Sequence, residues 1–173
     1  VKTVFTRRCN LNCSYCGAIK NPAKRELSLE EWKRCADVLY EMGNRHINIC
    51  GGGEPLMRED LCEFISYVSK RPVVTSIMLN GTLLDKNKIV DLGRSGIMDI
   101  GINVNTVQNL RIFDMLSKYK KKYGYEVTAN VLITRKNFLK ISSLINELVK
   151  KSLFVNIYMI ASGKNYWYRG YSP

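Results

Sequence analysis

The stretch "HINICGGGEPLMREDLCEFISYVSKRPVVTSIML", residues 46–79, holds the unit from which the rest of the chain is built. "HINIC" (46–50) reads as a strand, "EDLCEFISYVSK" (59–70) as a helix, and "VVTSIML" (73–79) as a second strand. Two strands joined through a helix run parallel, because the crossover returns the chain to the same end of the sheet. Moving outward, the alternation continues. Towards the N-terminus, "SLEEWKRCADVLYEM" (28–42) reads as a helix, with Ser28 as N-cap, Glu31 completing a capping box and Gly43 as the stop. "KTVFT" (2–6) before it reads as a strand.

Towards the C-terminus come helix 85–95 capped by Asp85, strand 97–104, helix 109–123, strand 126–133, helix 138–151 and strand 154–160. Six strands with five intervening helices predict an α/β fold with a parallel sheet and right-handed crossovers. An open doubly wound sheet and an incomplete (β/α) barrel both accommodate this order. In either, ligands bind beyond the carboxyl ends of the strands.

The 173 residues suit one domain, expected to be a core unit over 1–173 with further residues beyond both ends. Hydrophobic residues make up 46% and charged residues 24%, a globular rather than a disordered composition. No apolar run reaches the ~18 residues of a membrane helix. The net charge of +12 is compatible with nucleic acid or an acidic partner, and equally with a lysine-rich solvated surface such as "KYKKKYGY" (118–125). Of six cysteines, three are clustered, while Cys35, Cys50 and Cys62 are dispersed in apolar surroundings as core thiols. This is not a secreted disulfide framework; it reads as cytoplasmic, with a metal-binding cluster.

The loops at the carboxyl ends of the strands carry the chemistry. After the first strand, "CNLNCSYCG" (9–17) spaces Cys9, Cys13 and Cys16 as Cys-x3-Cys-x2-Cys. Zinc sites show four ligands in two paired knuckles, and the single histidine, His46, starts a strand at the wrong end. A cubane iron–sulfur cluster is the better occupant: three thiolates hold three irons and leave the fourth open to an exchangeable ligand. After the second strand, "GGGEP" (51–55) bares peptide groups to close approach and adds the Glu54 carboxylate. Without a following Lys-Ser/Thr it is no phosphate loop, and its acceptors suit a cation such as an ammonium. "LNGTLL" (79–84) after the third strand is a turn signal. Asn103, Thr128 and Asn130 lie inside predicted strands against propensity, at alternating positions that face one side of the sheet.

Cys9, Cys13 and Cys16, with Tyr15 before the last of them, followed by Gly52-Gly53-Glu54-Pro55 and Asn80-Gly81-Thr82, resemble the radical S-adenosylmethionine (radical SAM) superfamily over nearly the whole chain. "TRRCNLNCSYC", "NGTLL" and "ITRKN" are similar to its branch of molybdenum-cofactor cyclases and peptide maturases. The resemblance implies a (β/α)6 partial TIM-type barrel with five or six helices. It implies a [4Fe–4S] cluster on Cys9, Cys13 and Cys16, whose open iron is chelated by the amino and carboxylate groups of SAM. It further implies that the backbone around Gly52, Gly53 and Glu54 receives the SAM ammonium and that Tyr15 lies near the adenine. Asn103, at a position often Ser, would contact ribose or carboxylate; Thr128 and Asn130 fall at polar SAM positions, and Arg111 is a further candidate for the carboxylate. Ile160 and Ala161 would border the adenine.

The implied activity is reductive cleavage of SAM to a 5′-deoxyadenosyl radical that abstracts hydrogen from a peptide or small-metabolite substrate, with electrons from a flavodoxin- or ferredoxin-like donor. An RNA-modifying member and a non-catalytic iron–sulfur carrier or scaffold are the competing expectations. An electron carrier needs neither the open iron nor "GGGEP".

Overall fold

The computed structural model describes residues 1–13, 16, 25–50, 52–104, 110–133, 137–151 and 153–159. Its strands are β1 (Lys2–Thr3), β2 (His46–Ile49), β3 (Val74–Leu79), β4 (Asp99–Val104), β5 (Glu126–Ile133) and β6 (Phe154–Met159). Between them lie α1 (Leu29–Glu41), α2 (Leu61–Val68), α3 (Lys86–Arg94), α4 (Arg111–Tyr123) and α5 (Ile141–Lys150). All neighbouring strands pair in parallel and in chain order, β1 to β6. A doubly wound sheet reverses its order at a switch point; this one never does, which decides for the partial barrel.

Strand alternation separates two faces. On one, Ile100, Ile102 and Val104 of β4 and Val127, Ala129 and Val131 of β5 are at most 1% exposed beneath the helices. Burying each large side chain of this kind contributes about 1.5–3 kcal/mol. The helices answer with matching stripes. Leu61, Phe64, Ile65 and Val68 of α2 recur at helical spacing and are all buried. The other face carries Gly101 and Asn103 of β4, Thr128 and Asn130 of β5, and Phe154 and Asn156 of β6, and it lines the lumen.

The local signals act as expected. Ser28 and Glu31 form a reciprocal capping box on α1, Asp85 accepts from the Lys88 amide at the start of α3, and Gly124 ends α4 at φ +74°. Trp32 packs against Phe5 and Phe64, with ring centroids 5.2 and 6.1 Å away. Most boundaries shift by a residue or two, and the larger differences lie elsewhere. The helix expected over 138–151 divides into a 3-10 turn, Phe138–Lys140, and α5, and the helix expected over 59–70 is shorter at both ends. The strand expected over 2–6 pairs regularly only through Lys2–Thr3, because the chain beyond it is held by the glycine turn instead of by a strand.

Candidate functional site

Three loops meet at the carboxyl ends of β1, β2 and β3. The segment after β1 runs alongside the glycine turn: Gly53 N donates to Thr6 O (2.7 Å) and Glu54 N to Arg8 O (2.8 Å). Gly52 sits at φ +74°, and a Cβ there would lie 2.4 Å from Val4 Cγ1 and 2.6 Å from Thr6 O. A Cβ on Gly53 would lie 1.9 Å from Arg8 O. On their Cβ side these glycines face the segment that leads into Cys9, so the lack of a side chain lets the two loops lie against each other.

Glu54 is 2% exposed. Its Oε2 accepts from Asn80 N (2.7 Å) and its Oε1 from Leu56 N (3.2 Å). Burial pushes its carboxyl above the usual range, against the pull of those two amides. The carboxylate therefore ties the loop after β2 to the loop after β3. Asn80 extends the tie to the cysteine loop. Its Nδ2 donates to Asn10 Oδ1 (3.0 Å) and stands 4.0 Å from Cys9 Sγ, while its Oδ1 accepts from the amide and hydroxyl of Thr82. Asn10 Nδ2 closes the ring by donating to Thr82 Oγ1 (2.8 Å).

Cys9, Cys13 and Cys16 are free thiols, each half-buried. Cys16 N donates to Cys13 O (3.0 Å), a turn that keeps these two together, and Leu11 N donates to Cys9 Sγ (3.5 Å). Among the described residues no three His, Cys, Asp or Glu side chains converge as a preformed metal cage. The fit to a cluster rests on the donors themselves: three half-buried thiols with no disulfide among them, and amide groups beside Cys9 of the kind that stabilise ligating sulfur. His46 starts β2, with Nε2 2.8 Å from Ser76 Oγ, and is no part of this mouth.

On the lumen face, Asn103, Asn130 and Asn156 stand side by side in register across β4, β5 and β6. Asn130 is 1% exposed, and its Oδ1 accepts from Asn156 Nδ2 (3.3 Å). Gly101 makes room for it: a Cβ there would lie 2.7 Å from Asn130 Nδ2. Thr128 stands lower in the lumen, where its hydroxyl donates to Asp99 Oδ1 (2.8 Å). Burial raises the Asp99 carboxyl, against that hydrogen bond. Arg111 is exposed at the first turn of α4. Tyr15, Ile160 and Ala161 lie outside the described residues. The sequence reading missed Asn10, Gly101 and Asn156. Asn156 carried the same signal as Asn103 and Asn130, an amide inside an apolar strand; Asn10 and Gly101 carried none.

The chain matches the family model "Radical SAM superfamily" over residues 3–153. It is 34% identical over 150 residues to the PqqA peptide cyclase of Granulibacter bethesdensis, covering 77% of this chain and 39% of that protein. It is 31% identical over 163 residues to the probable GTP 3′,8-cyclase of Methanopyrus kandleri, covering 86% and 52%. Streptococcus suis SuiB bound to S-adenosylmethionine shares the fold at a TM-score of 0.78 and 17% identity, over 95% of this chain and 41% of that one. The chain thus spans about half or less of the length of these proteins. The family model runs from the first strand to the threshold of the sixth and takes in all three loops at the mouth, and the chain belongs to the radical SAM superfamily, whose cofactors are a [4Fe–4S] cluster and S-adenosylmethionine.

Proposed function

We propose that Cys9, Cys13 and Cys16 hold the cluster and that the mouth of the barrel binds SAM for hydrogen abstraction from a peptide or small-metabolite substrate. The observation that carries this reading is the hydrogen-bonded ring of Glu54, Asn80, Thr82 and Asn10, which fixes the glycine turn and the asparagine turn against the cysteine loop. When bound and reduced, the cluster supplies the electron that splits the SAM carbon–sulfur bond to give the 5′-deoxyadenosyl radical.

The chain's own residues hold the geometry for that chemistry. With the Glu54 carboxylate committed to Asn80 and Leu56, the turn meets the SAM ammonium through backbone carbonyls at Gly52 and Gly53, and Glu54 acts by aiming them. Asn103 and Asn130 offer amide donors and acceptors to the ribose and carboxylate from the lumen wall. Arg111, at the rim, supplies a cation to the carboxylate, and Tyr15 borders the adenine. Thr128 acts one step removed, by fixing Asp99 beneath the asparagine row. The electron comes from a flavodoxin- or ferredoxin-like donor. The peptide reading of the substrate draws on the peptide cyclase relative, and the small-metabolite reading on the GTP cyclase relative.

The test is spectroscopic. After anaerobic reconstitution and reduction, the cluster's paramagnetic resonance spectrum should change on adding SAM. Cys9→Ala, Cys13→Ala and Cys16→Ala should each lose the cluster, and Cys35→Ala should keep it. Equal loss at Cys35, or an unchanged spectrum with SAM, would contradict the assignment.

A further inference from the structure

The segment that carries the cysteines is flanked by Arg8 on one side and Glu26, just before α1, on the other, and these two ends are bound to each other. Glu26 Oε1 accepts from the Thr6 hydroxyl (2.5 Å) and from Arg7 N (2.8 Å), and its Oε2 pairs with Arg8 Nε (3.3 Å). Arg8 N reaches the same carboxylate indirectly, donating to Thr6 Oγ1 (3.0 Å), which fixes the hydroxyl as a donor towards Glu26. Three consecutive residues, through the Thr6 hydroxyl, the Arg7 amide and the Arg8 guanidinium, thus meet on one side chain. Burial pushes the Glu26 carboxyl up, but the hydrogen bonds from Thr6 and Arg7 and the charges of Arg8 and Arg58 outweigh it and hold the group ionised.

A second rung lies below. Arg58, 8% exposed, donates through one guanidinium nitrogen to Leu27 O (2.7 Å) and Phe5 O (3.4 Å), bridging the same two segments of the stem. On the opposite side, Thr6 and Arg8 are held by the amides of Gly53 and Glu54. The residues before Cys9 are therefore gripped from both flanks, and Glu26, at the far end of the cysteine loop, supplies one of these grips directly through its side chain. Closing that loop in advance removes the chain entropy that three ligands on an open segment would lose on binding metal.

We infer that Glu26 is a positioning residue for the cluster: a latch that closes the cysteine loop at its stem, so that cluster retention depends on it more than the fold does. This rests on the cluster reading above. The test compares the rate at which iron passes from the anaerobically reconstituted protein to a colorimetric ferrous chelator, alongside melting of the metal-free protein and amide exchange at Arg7. Glu26→Ala should release iron about tenfold faster or more, since it removes hydrogen bonds to a charged acceptor. Arg7 should lose protection while the metal-free protein keeps its secondary structure. Glu26→Gln, which retains one acceptor oxygen but not the pairing with Arg8, should fall between, as should Thr6→Val. Arg25→Ala, whose guanidinium lies on Glu31, should release iron at the wild-type rate. Ser28→Ala controls for general destabilisation of the following helix. Should Glu26→Ala not fold, Glu26→Gln and Thr6→Val carry the comparison. Release at the wild-type rate in the Glu26 and Thr6 variants overturns the latch and leaves the cluster reading standing, as does equal acceleration by Ser28→Ala. A wild-type chain that takes up no cluster overturns both.

Discussion

Gly53→Ala should be among the most damaging single-methyl changes in the protein. The added Cβ would lie 1.9 Å from Arg8 O, 2.6 Å from Arg8 C and 2.7 Å from Arg7 C, all backbone atoms with no rotamer to yield. Ordinary contact begins near 3.4 Å, so the Arg8 carbonyl must retreat by about 1.5 Å. That retreat breaks the bond from Glu54 N, now 2.8 Å, and strains the one from Gly53 N to Thr6 O, now 2.7 Å. Two hydrogen bonds at about 1 kcal/mol each and an overpacking cost of about 1–3 kcal/mol give about 3–5 kcal/mol. Gly124→Ala is the control. It sits at φ +74° with nothing within 4 Å of the added Cβ, and should cost only the left-handed backbone penalty of about 1–2 kcal/mol. Urea denaturation of the metal-free protein measures both. A Gly53→Ala variant no less stable than Gly124→Ala would refute the close approach of the two loops.

Glu54→Gln should flatten the pH dependence of stability. The folded-state carboxyl is raised above its ordinary value of 4.5, so native Glu54 contributes stability that is complete below that pH and is lost as pH rises through the folded value; denaturation midpoints of the two proteins from pH 4 upward should converge at the acid end. Cys62, pushed up to about 11 by burial and the Asp91 charge, should escape iodoacetamide at pH 8 in the native protein and react after unfolding, as read by peptide mass mapping. Ser28→Ala should cost about 1 kcal/mol by removing the capping box of α1, measured as a shift in the thermal midpoint.

The fold was legible because period and punctuation agree. The alternating apolar runs, the Ser28–Glu31 box, Asp85 and Gly124 each mark a boundary that local chemistry enforces. What the residues alone left open, doubly wound sheet or barrel, is a matter of strand order, which no local signal encodes. At the site, the spacing of Cys9, Cys13 and Cys16 was legible, and so was the position of the glycine turn after a strand. The partners of Glu54 were not. Both its oxygens accept from backbone amides, one of them 26 residues away. Glu26 and Asn10 carried no signal at all, because their partners lie across the mouth at sequence separations that a motif cannot express.

Radical formation at the cysteine loop can be measured through its product. The anaerobically reconstituted protein is given SAM and dithionite, and 5′-deoxyadenosine is quantified by mass spectrometry beside the Cys13→Ala variant. A cluster held by Cys9, Cys13 and Cys16 predicts 5′-deoxyadenosine from the native chain and none above background from the variant. A native chain that carries its cluster and binds SAM but forms no 5′-deoxyadenosine, or a variant that forms as much, would contradict it.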